Sequence, residues 1–249
     1  MKIYSLTCTR SSDLPETTLN LLEYFERCNI ESKILTGQKS IFDAYNNGID
    51  ELNADFDDII ILCHDDIEIL TDPKVFTQLL KESLSKSDVG FVGIAGTRVF
   101  TDSGVWWDGQ QWKAGSHSGY VHHGKDLQTM SETHFGPISE VVVMDGVFLA
   151  ATKRTLRSIQ LNKPKGFNGD WDFYDIFFTF QTYLKKMKNY TLPIQIRHES
   201  IGELAGRDSW HKNREAFCKM MNKHLPARNR VQVNSGEIRQ SFEPWTSLL

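Results

Sequence analysis

Apolar positions along the first hundred residues change period in a regular way. Residues 2–9 alternate and are rich in β-formers, residues 10–15 are polar and end in proline, and residues 16–28 carry Leu19, Leu22, Tyr24 and Phe25 at helical spacing. A second strand is predicted over residues 31–35, and a second helix over 40–52 with Ser40 as its cap. The unbroken Ile-Ile-Ile-Leu within residues 58–63 has the signature of a strand buried on both faces, as in a parallel sheet. Asp72-Pro73 opens a helix to about Lys86, and residues 89–95 form a fourth strand. Strict alternation of strand and helix predicts a Rossmann-like α/β sheet whose ligands gather at the carboxyl ends of its strands.

Periodicity stops between Gly96 and Ser139, a stretch rich in Gly, His and Trp that reads as one long irregular loop. It returns over residues 140–150, a strand-like run broken by Asp145-Gly146, followed by a short helix at 153–159. The run Phe167-Asn-Gly-Asp-Trp-Asp-Phe-Tyr-Asp175 leads into a helix to Lys188, with Phe173, Phe177, Phe180, Leu184 and Met187 on one face. Residues 193–197 read as the last strand, then comes a polar helix and a loose tail after Pro226. With 249 residues and no internal repeat or convincing linker, a single domain is expected, 1–249.

Composition narrows the partners. Lys and Arg number 28 against 32 Asp and Glu, a net charge of −4, with no block of like charge to serve as a nucleic-acid-binding face. A weakly negative chain that binds an anionic ligand needs a local device such as a metal ion. Cys8, Cys28, Cys63 and Cys218 are far apart and make neither a zinc spacing nor a disulfide framework, which points to a reducing, cytoplasmic setting. No apolar run approaches the ~20 residues that span a bilayer, although peripheral membrane contact stays compatible with the sequence.

Three patches carry candidate chemistry. Cys63-His64-Asp65-Asp66-Ile67-Glu68 follows the most buried strand, and two adjacent carboxylates there are costly to hold together without a cation. Oxygen ligands suit magnesium or manganese, which can bridge a diphosphate; on spacing alone the pair reads equally well as a helix cap or a solvated loop. Asp170, Asp172 and Asp175 open the aromatic helix. Capping and dipole compensation account for Asp170 and extend to Asp172, whereas Asp175, expected a turn inside the helix, fits a general base better. His198 after the last strand is either a hydrogen-bonded surface group or a nitrogen ligand to the same cation.

The order Ser40-Ile-Phe-Asp-Ala-Tyr-Asn-Asn-Gly48, Leu62-Cys-His-Asp-Asp-Ile67, Val143-Met-Asp-Gly-Val-Phe-Leu149, Phe173-Tyr-Asp175 and His198 resembles the GT-A glycosyltransferases of the family 2 type. The resemblance is to a branch with a His-Asp-Asp version of the Asp-x-Asp signature, and it covers residues 2–217. It implies a GT-A fold, a mixed and mostly parallel sheet flanked by helices in a single domain. Residues 1–100 would form the nucleotide-sugar half, 101–217 the acceptor and catalytic half, and 218–249 a C-terminal tail.

The activity implied is a metal-dependent inverting transfer, of the hexosyltransferase class, of one sugar from a nucleotide-diphosphate sugar to a saccharide or glycoconjugate. Asp66 and His198 would bind manganese or magnesium, with Asp65 near the donor sugar or ribose. Thr7, Thr9, Arg10, Ser40 and Tyr45 would line the nucleotide pocket. Asp175 would be the catalytic base, with Asp145 between donor sugar and acceptor and Asp172 nearby. His64 occupies the first acidic position of the signature, which leaves fewer carboxylates for the metal. The Gln-x-x-Arg-Trp motif of processive members is absent, and Gly206-Arg-Asp-Ser-Trp210-His-Lys-Asn-Arg214 takes its place, so one sugar per encounter is expected. Arg207, Lys212 and Arg214 either close over the diphosphate or are solvated.

Trp106, Trp107 and Trp112 suit either a sugar-stacking platform or packing of the loop, with packing preferred for Trp106. His117, His122, His123 and His134 match no common zinc spacing. The alternatives are a nucleotide-sugar hydrolase using the same residues, and a non-catalytic nucleotide-sugar or glycan-binding protein.

Overall fold

The computed structural model describes residues 1–200, 207–224 and 231–232; Gly206, at the start of the late motif, lies outside them, and of the tail expected to be loose after Pro226 only Val231 and Gln232 are described, as a short strand paired antiparallel with Phe100 and Val99. The chain begins β1 (Ile3–Cys8), α1 (Glu16–Arg27), β2 (Glu31–Leu35), α2 (Ile41–Glu51), β3 (Ile59–Cys63), β4 (Ile67–Ile69), α3 (Pro73–Leu84) and β5 (Val89–Gly93). It continues with β6 (Ala95–Thr97), β7 (Val99–Phe100), α4 (Gly109–Lys113), β8 (His117–His123), β9 (Ser131–Gly136), β10 (Glu140–Val141), β11 (Val143–Met144) and β12 (Phe148–Thr152). Last come α5 (Lys153–Ser158), α6 (Tyr174–Leu184), β13 (Lys188–Thr191), β14 (Ile196–His198), α7 (Asp208–Met220) and β15 (Val231–Gln232).

A seven-stranded sheet, in the order β10-β13-β5-β12-β3-β1-β2, forms the body of the molecule. β1, β2, β3, β5 and β13 run one way, and β12 and β10 run against them. Every residue of β1, β3 and β5 is buried, as expected of strands with both faces covered. The helices start where local chemistry dictates. Ser40 accepts the Asp43 amide at 3.3 Å to cap α2, and Asp72 accepts the Lys74 amide at 2.9 Å to cap α3, with Pro73 in the first turn.

A second sheet, in the order β11-β6-β8-β14-β4 with β9 on β8, begins where the first one ends. β3 runs into β4 through His64–Asp66, β5 runs into β6 through Ile94, β13 leads on to β14, and β11 returns into β12 through residues 145–147. The carboxyl ends of the main strands are therefore joined to the second sheet by very short links. Chain segments distant in sequence converge along that seam.

Residues 96–139, expected to be an irregular loop, supply β6, β7, α4, β8 and β9 instead. Their strands are short and interrupted by glycines whose backbone departs from strand geometry, which erases the alternation. Gly119 at φ 93° and Gly136 at φ 155° each leave no room for a Cβ, which would lie 1.8 Å from the Ile94 carbonyl oxygen and 2.3 Å from that of His117. The aromatic helix also ends earlier than its apolar period suggests, at Leu184, because Lys186 turns left-handed at φ 63° and the Met187 amide folds back to the Thr182 carbonyl. The chain enters β13 at Lys188, where the helix was expected to end, and the strand expected at 193–197 lies at Ile196–His198. Among the described residues, no helix is long and apolar enough to cross a membrane.

Candidate functional site

The site is assembled by three registers. In the first, β4 pairs antiparallel with β14, His198 opposite Ile67, and the Glu199 amide donates to the Asp66 carbonyl at 3.0 Å. This pairing carries His198 to Asp66 across 132 residues of chain. Second, β12 pairs antiparallel with β3, Phe148 opposite Cys63, and the His64 amide donates to the Val147 carbonyl at 3.1 Å. The Asp145–Val147 turn is thereby laid beside His64. In the third, α6 meets that turn at its first residues, where the Gly146 amide donates to Asp175 Oδ2 at 3.0 Å.

His64, Asp66 and His198 converge on one point. His198 Nε2 lies 3.2 Å from Asp66 Oδ1, His64 Nδ1 lies 3.7 Å from the same oxygen, and the two ring nitrogens are 3.4 Å apart. Their ligand atoms all fall within 4.8 Å of one another, the only such group of three among the described residues. Burial, and then the neighbouring His198, push the His64 imidazole below its ordinary value and keep it neutral, as a ligand must be. Burial opposes ionisation of Asp66, but the His198 hydrogen bond and the two imidazoles outweigh it and bring the carboxyl down to about 2. Two neutral-capable imidazoles and one ionised carboxylate, facing inward, fit a divalent cation. His64, read from the sequence as leaving fewer carboxylates for a metal, stands in the same group as Asp66 and His198.

On the other side of the turn stands Asp175. Its two oxygens accept the Gly146 amide at 3.0 Å and the Ile176 amide at 2.8 Å. Burial raises its carboxyl from an ordinary 3.8 to about 7, with the charge of Asp145 adding to the rise. Asp145 Oδ1 accepts the Val147 amide at 2.9 Å and so shapes the turn. Between the two halves sits Tyr174, buried, its hydroxyl 3.1 Å from His64 Nε2 and donating to the Gly146 carbonyl at 2.9 Å. Gly146 is required here because a Cβ would lie 2.4 Å from the Tyr174 oxygen and 3.0 Å from Asp175 Cβ.

Phe173 before them is left-handed at φ 71°, an uncommon state for a bulky residue and one that costs roughly 1–3 kcal/mol. Its ring is held among Phe167, Trp210 and Phe217. Because Phe173 is the first residue before α6 and caps it with no side-chain bond, Asp170 and Asp172 do not cap this helix, and Asp175 lies in its first turn rather than one turn inside. Asp170 pairs with Lys163 at 2.7 Å. Asp172, mostly buried, accepts Ser209 Oγ at 2.6 Å and faces Arg207 at 3.7 Å, so it ties the segment to α7.

The residues expected in the nucleotide pocket divide. Thr7 and Tyr45 are fully enclosed: Thr7 Oγ1 lies 3.3 Å from Cys63 Sγ, and Tyr45 donates to the Cys63 carbonyl at 3.3 Å, so neither presents a surface to a ligand. Ser40 is committed to its cap, and Thr9 Oγ1 accepts the Ser11 amide at 3.1 Å. Arg10 is exposed, its guanidinium 4.4 Å above the Trp171 ring, and Asp65 is half-buried, its carbonyl accepting Thr18 Oγ1 at 2.7 Å. Trp107 packs against Trp106 at 5.6 Å and Trp210 at 5.4 Å, while Trp106 is enclosed beside Phe135 and His117. Arg214 donates to the Ser103 carbonyl at 2.8 Å and Lys212 pairs with Asp208 at 3.3 Å. Tyr174 and Gly146 went unread as site residues because a tyrosine and a glycine carry no chemical signature until the turn is placed.

Residues 6–223 match the model of a family described as "Glycosyltransferase like family". No curated protein matches the sequence. Among solved structures the chain is similar to A197 from STIV, at 14% identity over 80% of this chain and 86% of that one, with a TM-score of 0.49. It is also similar to GalNAc-T7, solved with UDP, GalNAc and Mn2+, at 10% identity over 88% of this chain and 48% of that one, with a TM-score of 0.54. The chain spans about half the length of the latter protein, and likeness at such identity concerns the fold.

Proposed function

The chain belongs to the glycosyltransferase-like family, and from that premise we propose that it moves one sugar from a nucleoside-diphosphate sugar to a hydroxyl of a saccharide or glycoconjugate, with inversion at the anomeric carbon. The protein is a glycosyltransferase of GT-A fold. One observation carries the finer reading. A cation-ready group and a carboxylate raised to about 7 flank a single short turn, Asp145–Val147.

Glycosyl transfer develops negative charge on the departing diphosphate and positive charge on the sugar, and it leaves a proton to be removed from the attacking hydroxyl. His64, Asp66 and His198 would hold a divalent cation. When bound, that ion supplies positive charge beside the leaving diphosphate. A donor set with two imidazoles is less suited to magnesium, which prefers oxygen, than to manganese, and the GalNAc-T7 structure contains UDP with Mn2+. Asp175 takes the acceptor proton, its two oxygens fixed by backbone amides and its basicity matched to neutral pH. Asp145, beside it, stands between donor sugar and acceptor. Asp65 and the exposed Arg10 contact the nucleotide end of the donor, and Trp107 and Asp172 belong to the acceptor side. The division at residue 100 is then one of roles, since His198 completes a ligand set begun by His64 and Asp66.

The test is nucleoside-diphosphate release from UDP-, GDP- and dTDP-sugars with manganese, with and without saccharide acceptors, followed by the anomeric configuration of the product. Acceptor-dependent release with an inverted product is expected. Release at the same rate without any acceptor would make the chain a hydrolase, and retained configuration would remove Asp175 as base for a direct displacement.

A further inference from the structure

We propose that Tyr174 sets the tautomer of His64, holding the proton on Nε2 and turning the bare Nδ1 lone pair toward Asp66 and His198. The argument is a count of protons. The Gly146 carbonyl can only accept, and the Tyr174 hydroxyl donates to it at 2.9 Å. A phenol has one proton, and the bond to that carbonyl commits it. His64 Nε2 lies 3.1 Å from the same hydroxyl and must therefore be the donor. A neutral imidazole carries a single proton, which leaves Nδ1 without one.

That bare nitrogen is the atom facing His198 Nε2 at 3.4 Å and Asp66 Oδ1 at 3.7 Å. The hydroxyl itself is fixed from both sides. Gly146 admits it because any Cβ would collide with it, and the Tyr174 ring is wedged edge-on between Tyr45 at 5.9 Å and Phe178 at 5.9 Å. His198 has no equivalent support, since its Nδ1 is buried without a hydrogen-bond partner among the described residues. His64 is thus the preset member of the group and Tyr174 its positioning residue, doing for an imidazole ligand what a carboxylate or a backbone carbonyl commonly does.

The consequence for metal affinity rests on the divalent-cation reading of the site, whereas the tautomer does not. The experiment uses the full chain labelled with 15N in its histidine rings, freed of metal by chelation, with the His64 signals identified by their loss in His64→Gln. The wild-type spectrum is expected to show His64 protonated at Nε2. In Tyr174→Phe, His64 is expected to populate both tautomers, and Mn2+ affinity measured by calorimetry is expected to fall tenfold or more. A wild-type His64 protonated at Nδ1 overturns the proposal, as does a Tyr174→Phe variant with unchanged tautomer and unchanged affinity. Should the variant fail to fold, the wild-type spectrum alone decides. A wild-type protein that keeps the Nε2 proton yet binds no Mn2+ sinks the cation reading and leaves the tautomer assignment standing.

Discussion

Asp175 and Asp66 are carboxylates pushed in opposite directions by surroundings a few residues apart in space. Asp175, raised to about 7 by burial and by Asp145, is a base whose ionised fraction grows through neutral pH, so kcat/KM should rise with pH and level off above about 7. Asp175→Asn should lower turnover by about 100-fold or more while leaving donor binding nearly intact. Steady-state kinetics beside nucleotide titrations check this, and wild-type turnover in the variant would remove Asp175 from the mechanism. The same shift has a stability signature of definite sign. A carboxyl whose folded value lies above its unfolded 3.8 favours the fold below that value and loses this contribution as pH rises toward about 7. Wild type should therefore lose stability relative to Asp175→Asn across that window, by at most about 1.4 kcal/mol per pH unit, and run parallel above it. Asp66, brought down to about 2, acts in the opposite sense: its contribution is present above 3.8 and lost as pH falls toward 2. Between them, Gly146→Ala should push against both Tyr174 and Asp175, costing about 1–3 kcal/mol in denaturant unfolding together with activity.

At the scale of elements, the position of Asp175 depends on how α6 is fastened to the sheet. The fastening is Asn189 of β13, fully enclosed, whose Oδ1 accepts the Phe91 amide at 2.9 Å and whose Nδ2 donates to the Val142 carbonyl at 3.1 Å and the Thr179 carbonyl at 2.9 Å. Gly90 makes the room, since a Cβ there would lie 2.7 Å from Asn189 Oδ1. Asn189→Asp keeps the shape but sets carboxylate lone pairs against two carbonyls, so a loss of about 3 kcal/mol or more is expected by urea unfolding. A loss under about 1 kcal/mol would show that α6 is held mainly by its aromatic face. These elements also mark what the sequence made legible. β3 and the helices around it were readable because continuous burial and capping residues are local properties. The register of β4 on β14, which carries His198 to Asp66, was not readable, because three-residue strands have no periodicity. The residues alone left His198 open between a surface group and a ligand to the same cation, and the family resemblance selected the ligand. Thr7 and Tyr45, assigned by that resemblance to the nucleotide pocket, turn out to be enclosed, because position in a motif does not specify which way a side chain points.

For the molecule as a whole, the proposed transfer asks a chain with 28 basic against 32 acidic side chains to receive a diphosphate. Asp65, Asp66, Asp145 and Asp175 all gather at the seam between the two sheets, so the local field repels an anion more strongly than the net charge suggests. A cation held by His64, Asp66 and His198 would reverse that field beside the proposed diphosphate. Nucleotide and metal should therefore bind with strong mutual dependence, each stabilising the native state only weakly alone. Thermal unfolding against UDP, GDP, dTDP and CMP, each with manganese or with chelator, measures this directly. At a hundred times its dissociation constant a ligand adds about 2.7 kcal/mol to native stability, a rise of roughly 5–11 °C in the midpoint for a chain of this size. One nucleoside diphosphate should show that rise with manganese and little of it with chelator, thereby naming the donor class. Replacing Asp66 with Asn should abolish the coupled rise. Equal rises with and without metal would mean that the diphosphate is held by side chains such as Arg10 instead, and the ligand group at the seam would lose its proposed role.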